Sequence, residues 1–197
     1  MTVLKSNYLF NYTFTIMTEN RYIETKVVDS GTEQVTVEQA KTYMSVTSSD
    51  YDDLIEELIS VARKRVEDFT HLSLVDKTVS LYVDVCKPVK MPYQPLDGIT
   101  SVKVIQGQLD NGDPDWLTLE VTDKDYILIG DDICELHSNY SGIHEIIYTT
   151  AAKEDASLLL TIKMVTNWLF RNRLDEPAAM PQSIFEHAKP FKLYNWG

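Results

Sequence analysis

Four carboxylate pairs are the first residues in this chain whose types and spacing could do chemistry: Asp52/Asp53, Glu56/Glu57, Asp123/Asp125 and Asp131/Asp132. Two such groups, held a set distance apart across a cleft, can cleave a glycosidic bond as acid and nucleophile or as acid and base. Here they fall at a helix start, on a helix outer face and in turns, where solvated carboxylates usually sit. A small carbohydrate-acting hydrolase using paired carboxylates is therefore only a remote alternative. Cys134, His137 and His144 lie close in sequence. A zinc site wants tighter spacing and a fourth ligand, and a Cys–His nucleophile pair wants a third, orienting group. On neighbouring strands the three point to different faces. The stretch Asp110-Asn111-Gly112-Asp113-Pro114-Asp115 has the composition of a calcium loop but not the ligand pattern of an EF-hand, and its Gly and Pro already account for a hairpin turn. With seven glycines and neither a GxGxxG nor a Walker pattern, nucleotide binding has no support. Arg63-Lys64-Arg65 is too short, and too mixed with acids, for a nucleic-acid patch. The expectation is no catalytic residue, no cofactor and no metal.

The bulk numbers describe a folded, acidic chain. The 197 residues are 44% hydrophobic and 24% charged, a folded composition with enough chain for one core or two small lobes. The net charge of −12 repels phosphate backbones and anionic membrane surfaces. No apolar run reaches the eighteen or so residues of a membrane span. Met1–Thr18 has one Lys and many Tyr, Phe and Asn, but no basic region followed by a continuous apolar core, so it reads poorly as a signal peptide. Cys86 and Cys134 are expected to be free thiols in a reducing cytoplasm.

The elements that must carry these residues follow from periodicity. Met1–Ile16 alternates aromatic and polar residues and reads as a strand or an arm; Met17 offers a second start. Tyr22–Val28 is strand-like within an extended lead-in. Thr36 N-caps a short helix, Val37–Met44. A second helix runs from about Asp50 to Phe69, with Leu54, Ile55, Leu58, Ile59, Ala62, Val66 and Phe69 on one apolar face. Its acids come early and its bases late, which suits the helix dipole. From Thr70 to Thr150 the period changes to two. Thr78–Val85, Ile99–Gln106, Trp116–Val121, Tyr126–Ile129, Ile133–His137 and Ile143–Thr149 read as strands of an antiparallel sheet or small sandwich. Ala152–Arg173 returns to helix. Its stripe Leu158, Ile162, Val165, Trp168 and Leu169 is widened by Leu159, Leu160 and Met164, so more than one side needs cover. Asp175–Pro181 breaks this helix, Gln182–Ala188 is a short amphipathic turn, and Pro190–Gly197 is an aromatic tail.

Val35–Thr70 resembles the opening of the head–tail connector, or adaptor, proteins of tailed bacteriophages. Val35-Thr36-Val37-Glu38-Gln39-Ala40-Lys41 matches that family's first helix. Asp52-Asp53-Leu54-Ile55-Glu56-Glu57-Leu58-Ile59-Ser60-Val61-Ala62-Arg63-Lys64-Arg65-Val66-Glu67 matches its second. Pro95-Leu96-Asp97-Gly98-Ile99-Thr100-Ser101-Val102 is similar to its strand opening, Tyr126-Ile127 to a later strand, and Trp168-Leu169-Phe170-Arg171-Asn172-Arg173 to the end of its C-terminal helix. Phe170 makes the last match loose, and Met1–Ile16 has no counterpart.

The resemblance implies a virion structural protein without enzymatic activity, made in the host cytoplasm and placed at the head–tail interface. It implies a ring, commonly of twelve copies, beneath the portal protein. Such a ring extends the DNA channel, lets DNA pass without specific binding, and docks the tail or stopper. A tail-completion or stopper protein is the alternative. The fold expected is α+β, with a helical connector core (36–75 and 151–189), an inserted antiparallel β lobe (76–150), an N-terminal arm (1–35) and a C-terminal tail (190–197). Leu158, Ile162, Val165, Trp168 and Leu169 are the expected core or subunit interface. Phe191, Leu193, Tyr194 and Trp196 are the expected anchors on the portal or a neighbour, since Trp and Tyr at a chain end suit an interface.

Overall fold

The computed structural model describes residues 21–85, 89–120, 126–129, 133–136, 140–173 and 180–193. Met1–Ile16, Cys86, Asp123, Asp125, Asp131, Asp132, His137, Tyr194 and Trp196 lie outside these residues, and of Cys134 only the backbone lies within them.

The chain is α+β. Three helices, α1 (Val37–Met44), α2 (Asp52–Thr70) and α3 (Ala156–Arg171), enclose one apolar core. Thr36 caps α1 as its type suggests: its hydroxyl accepts from the Gln39 amide at 3.3 Å, and the Gln39 side chain accepts from the Thr36 amide at 3.2 Å. Helix α2 begins two residues later than periodicity suggests, because Ser48 caps a single 3-10 turn (Ser49–Tyr51) ahead of it. Helix α3 begins four residues late, because Asp155 Oδ1 accepts from the Ser157 amide at 2.7 Å and fixes the start there. Ile55, Ile59, Ala62 and Val66 of α2 meet Leu158, Ile162 and Val165 of α3 in a core that excludes water.

The strands form two antiparallel sheets. The larger runs in the order β1 (Arg21–Asp29), β2 (Lys77–Val85), β8 (Gly142–Thr150), β4 (Leu96–Gln108), β5 (Pro114–Leu119). The smaller is β3 (Val89–Lys90), β7 (Ile133–Leu136), β6 (Tyr126–Ile129). The period of two is visible in burial. On β2, Val79, Leu81, Val83 and Val85 are buried while Thr78, Ser80, Tyr82 and Asp84 are half-buried. With Ile146 and Tyr148 of β8, Val102 of β4, Val89 and Met91, they make a second core separate from the helical one.

The lead-in Tyr22–Val28 is part of the sheet. As β1 it pairs with β2 from Arg21↔Asp84 to Asp29↔Lys77 and forms one edge, with a bulge at Ile23. It shows no burial alternation, since all nine residues are exposed and Val28 reaches 64%. That is why its sequence does not read as half of a core.

The two cores should behave alike under truncation. Ile162→Ala in the helical core and Leu81→Ala in the sheet core are each expected to lower unfolding free energy by about 2–5 kcal/mol. Denaturant midpoints of the two variants measure this.

Candidate functional site

The segments that join the two cores converge on five charged side chains. Arg63 and Glu67 come from α2, Lys77 from the start of β2, Asp29 from the end of β1, and Glu33 from the loop that follows. Arg63, Glu67 and Lys77 are each only 2% exposed. The Arg63 guanidinium donates in three directions: Nη1 to Glu67 at 2.7 Å, Nη2 to Asp29 at 2.6 Å, and Nε to both oxygens of Glu33 at 3.0 Å. Lys77 Nζ donates to Asp29 at 2.6 Å and lies 3.1 Å from Glu67. The other Glu67 oxygen accepts the Leu74 amide at 2.8 Å, so one carboxylate closes both the cluster and the chain reversal after α2. Buried charges persist only when paired and hydrogen-bonded, and these are.

The electrostatics follow from burial and partners. Burial pushes the Glu67 carboxyl above the usual range, and Lys77, the Leu74 amide and Arg63 only partly offset it. Burial also pushes Asp29 upward, but hydrogen bonds from Lys77 and Arg63 outweigh it and hold Asp29 below its ordinary value. Glu67, Glu33 and Asp29 together raise Arg63 further against its own desolvation. This is a structural lock. A charge so fully engaged has no free face for a substrate.

Around the lock, backbone contacts tie the same segments. The Asp76 carbonyl accepts from Ser30 at 2.8 Å and Gly31 at 3.2 Å, and its carboxylate accepts from Ala152 at 2.9 Å. Ser73 bridges the lobes: its carbonyl accepts from Lys153 at 2.8 Å and its hydroxyl from Thr150 at 2.8 Å. A Cβ on Gly31 would sit 2.7 Å from the Asp76 nitrogen, so this close approach requires glycine.

The sequence-derived candidates fall in several places. Leu158, Ile162 and Val165 are buried inside the protomer's own helical core, and Trp168 and Leu169 are half-buried against it. Phe191 and Leu193 also pack on that core, and the Leu193 amide donates to Thr70 at 3.0 Å. Beside them Phe69 and Phe185 stack at 4.8 Å. Asn172 and Arg173 close α3. The Asn172 side chain donates to the Trp168 carbonyl at 2.7 Å, and Arg173 lies 4.2 Å from the Phe170 ring centroid. His144 is buried, with Nδ1 2.8 Å from the Gly142 carbonyl, and burial lowers its pKa. Asp52 accepts from Lys41 at 2.5 Å, while Asp53, Glu56 and Glu57 are exposed. Among the described residues no cluster of His, Cys, Asp or Glu is arranged to hold a metal, and no helix is long and apolar enough to cross a membrane.

Sequence reasoning missed the lock. A signal was present: Arg63 and Glu67 are four apart, next to Ala62 and Val66 on the apolar face, and an ion pair at that spacing on a buried stripe points inward.

Comparison with known proteins fits this architecture. The family model of the phage gp6-like head-tail connector protein matches residues 34–105, which hold α1, α2, β2 and the polar positions Arg63, Glu67 and Lys77. This match shows the resemblance to phage head–tail connectors read from Val35–Thr70. No curated protein matches the chain. Among solved structures, a chain from the neck of an empty GTA particle computed with C6 symmetry superposes with a TM-score of 0.63 at 12% identity. It covers 86% of this chain and 96% of that one. Chains from the virion of a native gene transfer agent particle (TM-score 0.63) and from the neck of a native GTA particle computed with C12 symmetry (0.62) give the same coverage at 13% identity. At these identities the likeness is one of fold.

Two predictions follow from the lock. Arg63→Met leaves three carboxylates facing one lysine and should lower stability by about 3–5 kcal/mol, whereas Lys64→Met, one residue on and exposed, should change it by less than about 0.5 kcal/mol. Thermal and denaturant unfolding separate the two. The second concerns acid. Because the folded-state pKa of Asp29 is depressed, its contribution is present above the unfolded value and is lost as pH falls below about 4. Glu67, raised, acts in the opposite sense. Asp29→Asn should therefore flatten the loss of stability between about pH 5 and pH 3, measured as melting temperature against pH.

Proposed function

We propose that this protein is a virion structural component, a head–tail connector or adaptor that assembles as a ring beneath the portal, extends the DNA channel and docks the tail or stopper. One observation carries this reading: the fold covers nearly the whole of a chain from a particle neck, and this protein matches the connector family model over α1, α2 and the strands from β2 into β4. Twelve copies are the reading favoured here, in line with the C12 symmetry of one of those necks. The helices and residues 180–193 form the connector core, and the strands form its β lobe. Leu158, Ile162 and Val165 hold the protomer together, with Trp168 and Leu169 at the margin of that core. The seam between copies then uses other, exposed surface.

The charge fits the task. Each copy carries −12, and a lumen lined by such copies repels phosphate, so DNA slides without sticking. No catalytic step is assigned. The one carboxylate among the described residues whose pKa is raised, Glu67, is buried and locked between Arg63 and Lys77.

The tail is assigned to docking on the portal or a neighbour, in two parts. Phe191 and Leu193 anchor its base to the protomer, and Tyr194 and Trp196 are the residues proposed to reach the partner. Deleting residues 190–197 would remove part of the helical core as well, so the informative deletion is 194–197. That variant should keep the wild-type melting temperature and lose binding to the portal protein, measured by co-sedimentation. A truncated chain that still binds would remove the tail from this role.

A further inference from the structure

At the end of the β4–β5 hairpin every residue from Gln106 to Asp115 is exposed, with no hydrophobic core of the described residues covering it. Its tip is nevertheless held in one shape. The Leu109 amide donates to the Asp113 carbonyl at 2.8 Å, Gly112 donates back to Leu109 at 2.9 Å, and the Gln108 side chain donates to the Gly112 carbonyl at 2.6 Å. Asn111 brackets the turn, donating to the Asp113 carboxylate at 2.7 Å and accepting from its amide at 3.1 Å. Gly112 takes a φ of +92°, which the tip needs and other residues rarely adopt. What this fixed tip presents is Leu109, 49% exposed, beside three acids, Asp110, Asp113 and Asp115, with no base between residues 106 and 115.

The opposite pattern occurs on α2. Burial of Arg63 in the lock leaves Lys64 and Arg65 outside, both exposed and, among the described residues, neither in an ion pair nor in a side-chain hydrogen bond. They lie three and four residues after Val61, which is 42% exposed, so the three share one helix face. Glu57 and Asp68 bound this patch one turn to either side. Two copies of a chain at −12 repel each other, so a contact between copies gains most where an acidic tip meets an unpaired cation pair.

We propose that the hairpin tip of one copy docks on the Val61–Lys64–Arg65 face of the next. Leu109 meets Val61, and the aspartates meet Lys64 and Arg65. The two patches differ, so the contact is heterologous, the kind that closes a ring. This inference rests on the ring reading and names the seam it uses.

Charge-swapped full-length chains test it. D110K/D113K and K64E/R65E each place like charges across the seam. Each alone should weaken self-association about tenfold or more at low salt, whether the chain assembles by itself or on the portal protein. Mixed one to one, the two restore opposite charges at every seam where they alternate and should recover assembly, read by sedimentation velocity. Raising salt should weaken the wild-type assembly. Wild-type rings with both variants assembling normally, or a mixture no better than either alone, would overturn the seam and leave the ring standing. A wild-type chain that stays monomeric alone and on the portal would overturn both.

Discussion

The buried charge cluster at Arg63 is the constraint on which the arrangement of the rest depends. The two apolar cores do not merge. The helical core is closed by α1, α2 and α3, and the sheet core by β2, β8, β4 and the residues around β3. Apolar packing therefore leaves the orientation of one lobe on the other underdetermined. Arg63, Glu67, Lys77, Asp29 and Glu33 supply the missing constraint, because each of four segments contributes a charge that is satisfied in one relative placement. Directional, short-range contacts suit that task better than a greasy interface, which tolerates sliding. In exchange, the lobes depend on every partner, since a single unpaired charge in this site is expensive.

A protomer whose helical and sheet cores are held in one arrangement is what an assembly part requires. If the lobes turned freely, surfaces on the sheet and on α2 could not meet a neighbour at a repeating angle. The lock also divides the chemistry of one short basic run. Arg63 turns inward and is consumed by structure, while Lys64 and Arg65 stay outside. The acids divide in the same way: Asp29, Glu33 and Glu67 are used internally, whereas Asp53, Glu56, Glu57 and the hairpin aspartates face water. The surface thus carries most of the chain's excess negative charge, the property that a sliding contact with a polyanion needs.

Much of the fold was legible in the sequence, and the exceptions have physical reasons. Helix α1 matches its predicted bounds because Thr36 and Gln39 form a reciprocal cap. β2 and β8 were readable because one face of each is buried and the other is not. β1 was only partly readable as part of the sheet: an edge strand exposed on both faces carries no alternation, so its pairing to β2 is set by backbone hydrogen bonds that composition does not record. The apolar width of α3 was visible, but its cover is largely internal, by α2, α1 and the 3-10 turn at Gln182–Phe185. The tail divides within the segment marked as aromatic, since Phe191 and Leu193 pack on their own protomer. The lock was hidden because charged residues at helical spacing look solvated until the segments from β1 and β2 are brought over them.

If this chain is a connector, it builds a closed ring at a head–tail junction. Electron microscopy of the full-length protein, purified alone and bound to its portal protein, tests it most directly through particle symmetry. Closed rings are then expected, twelvefold and coaxial with the portal, with the helical and sheet cores of each copy in the arrangement that the Arg63 cluster sets. Particles that remain single protomers in both preparations, or open chains with no rotational symmetry, would contradict it.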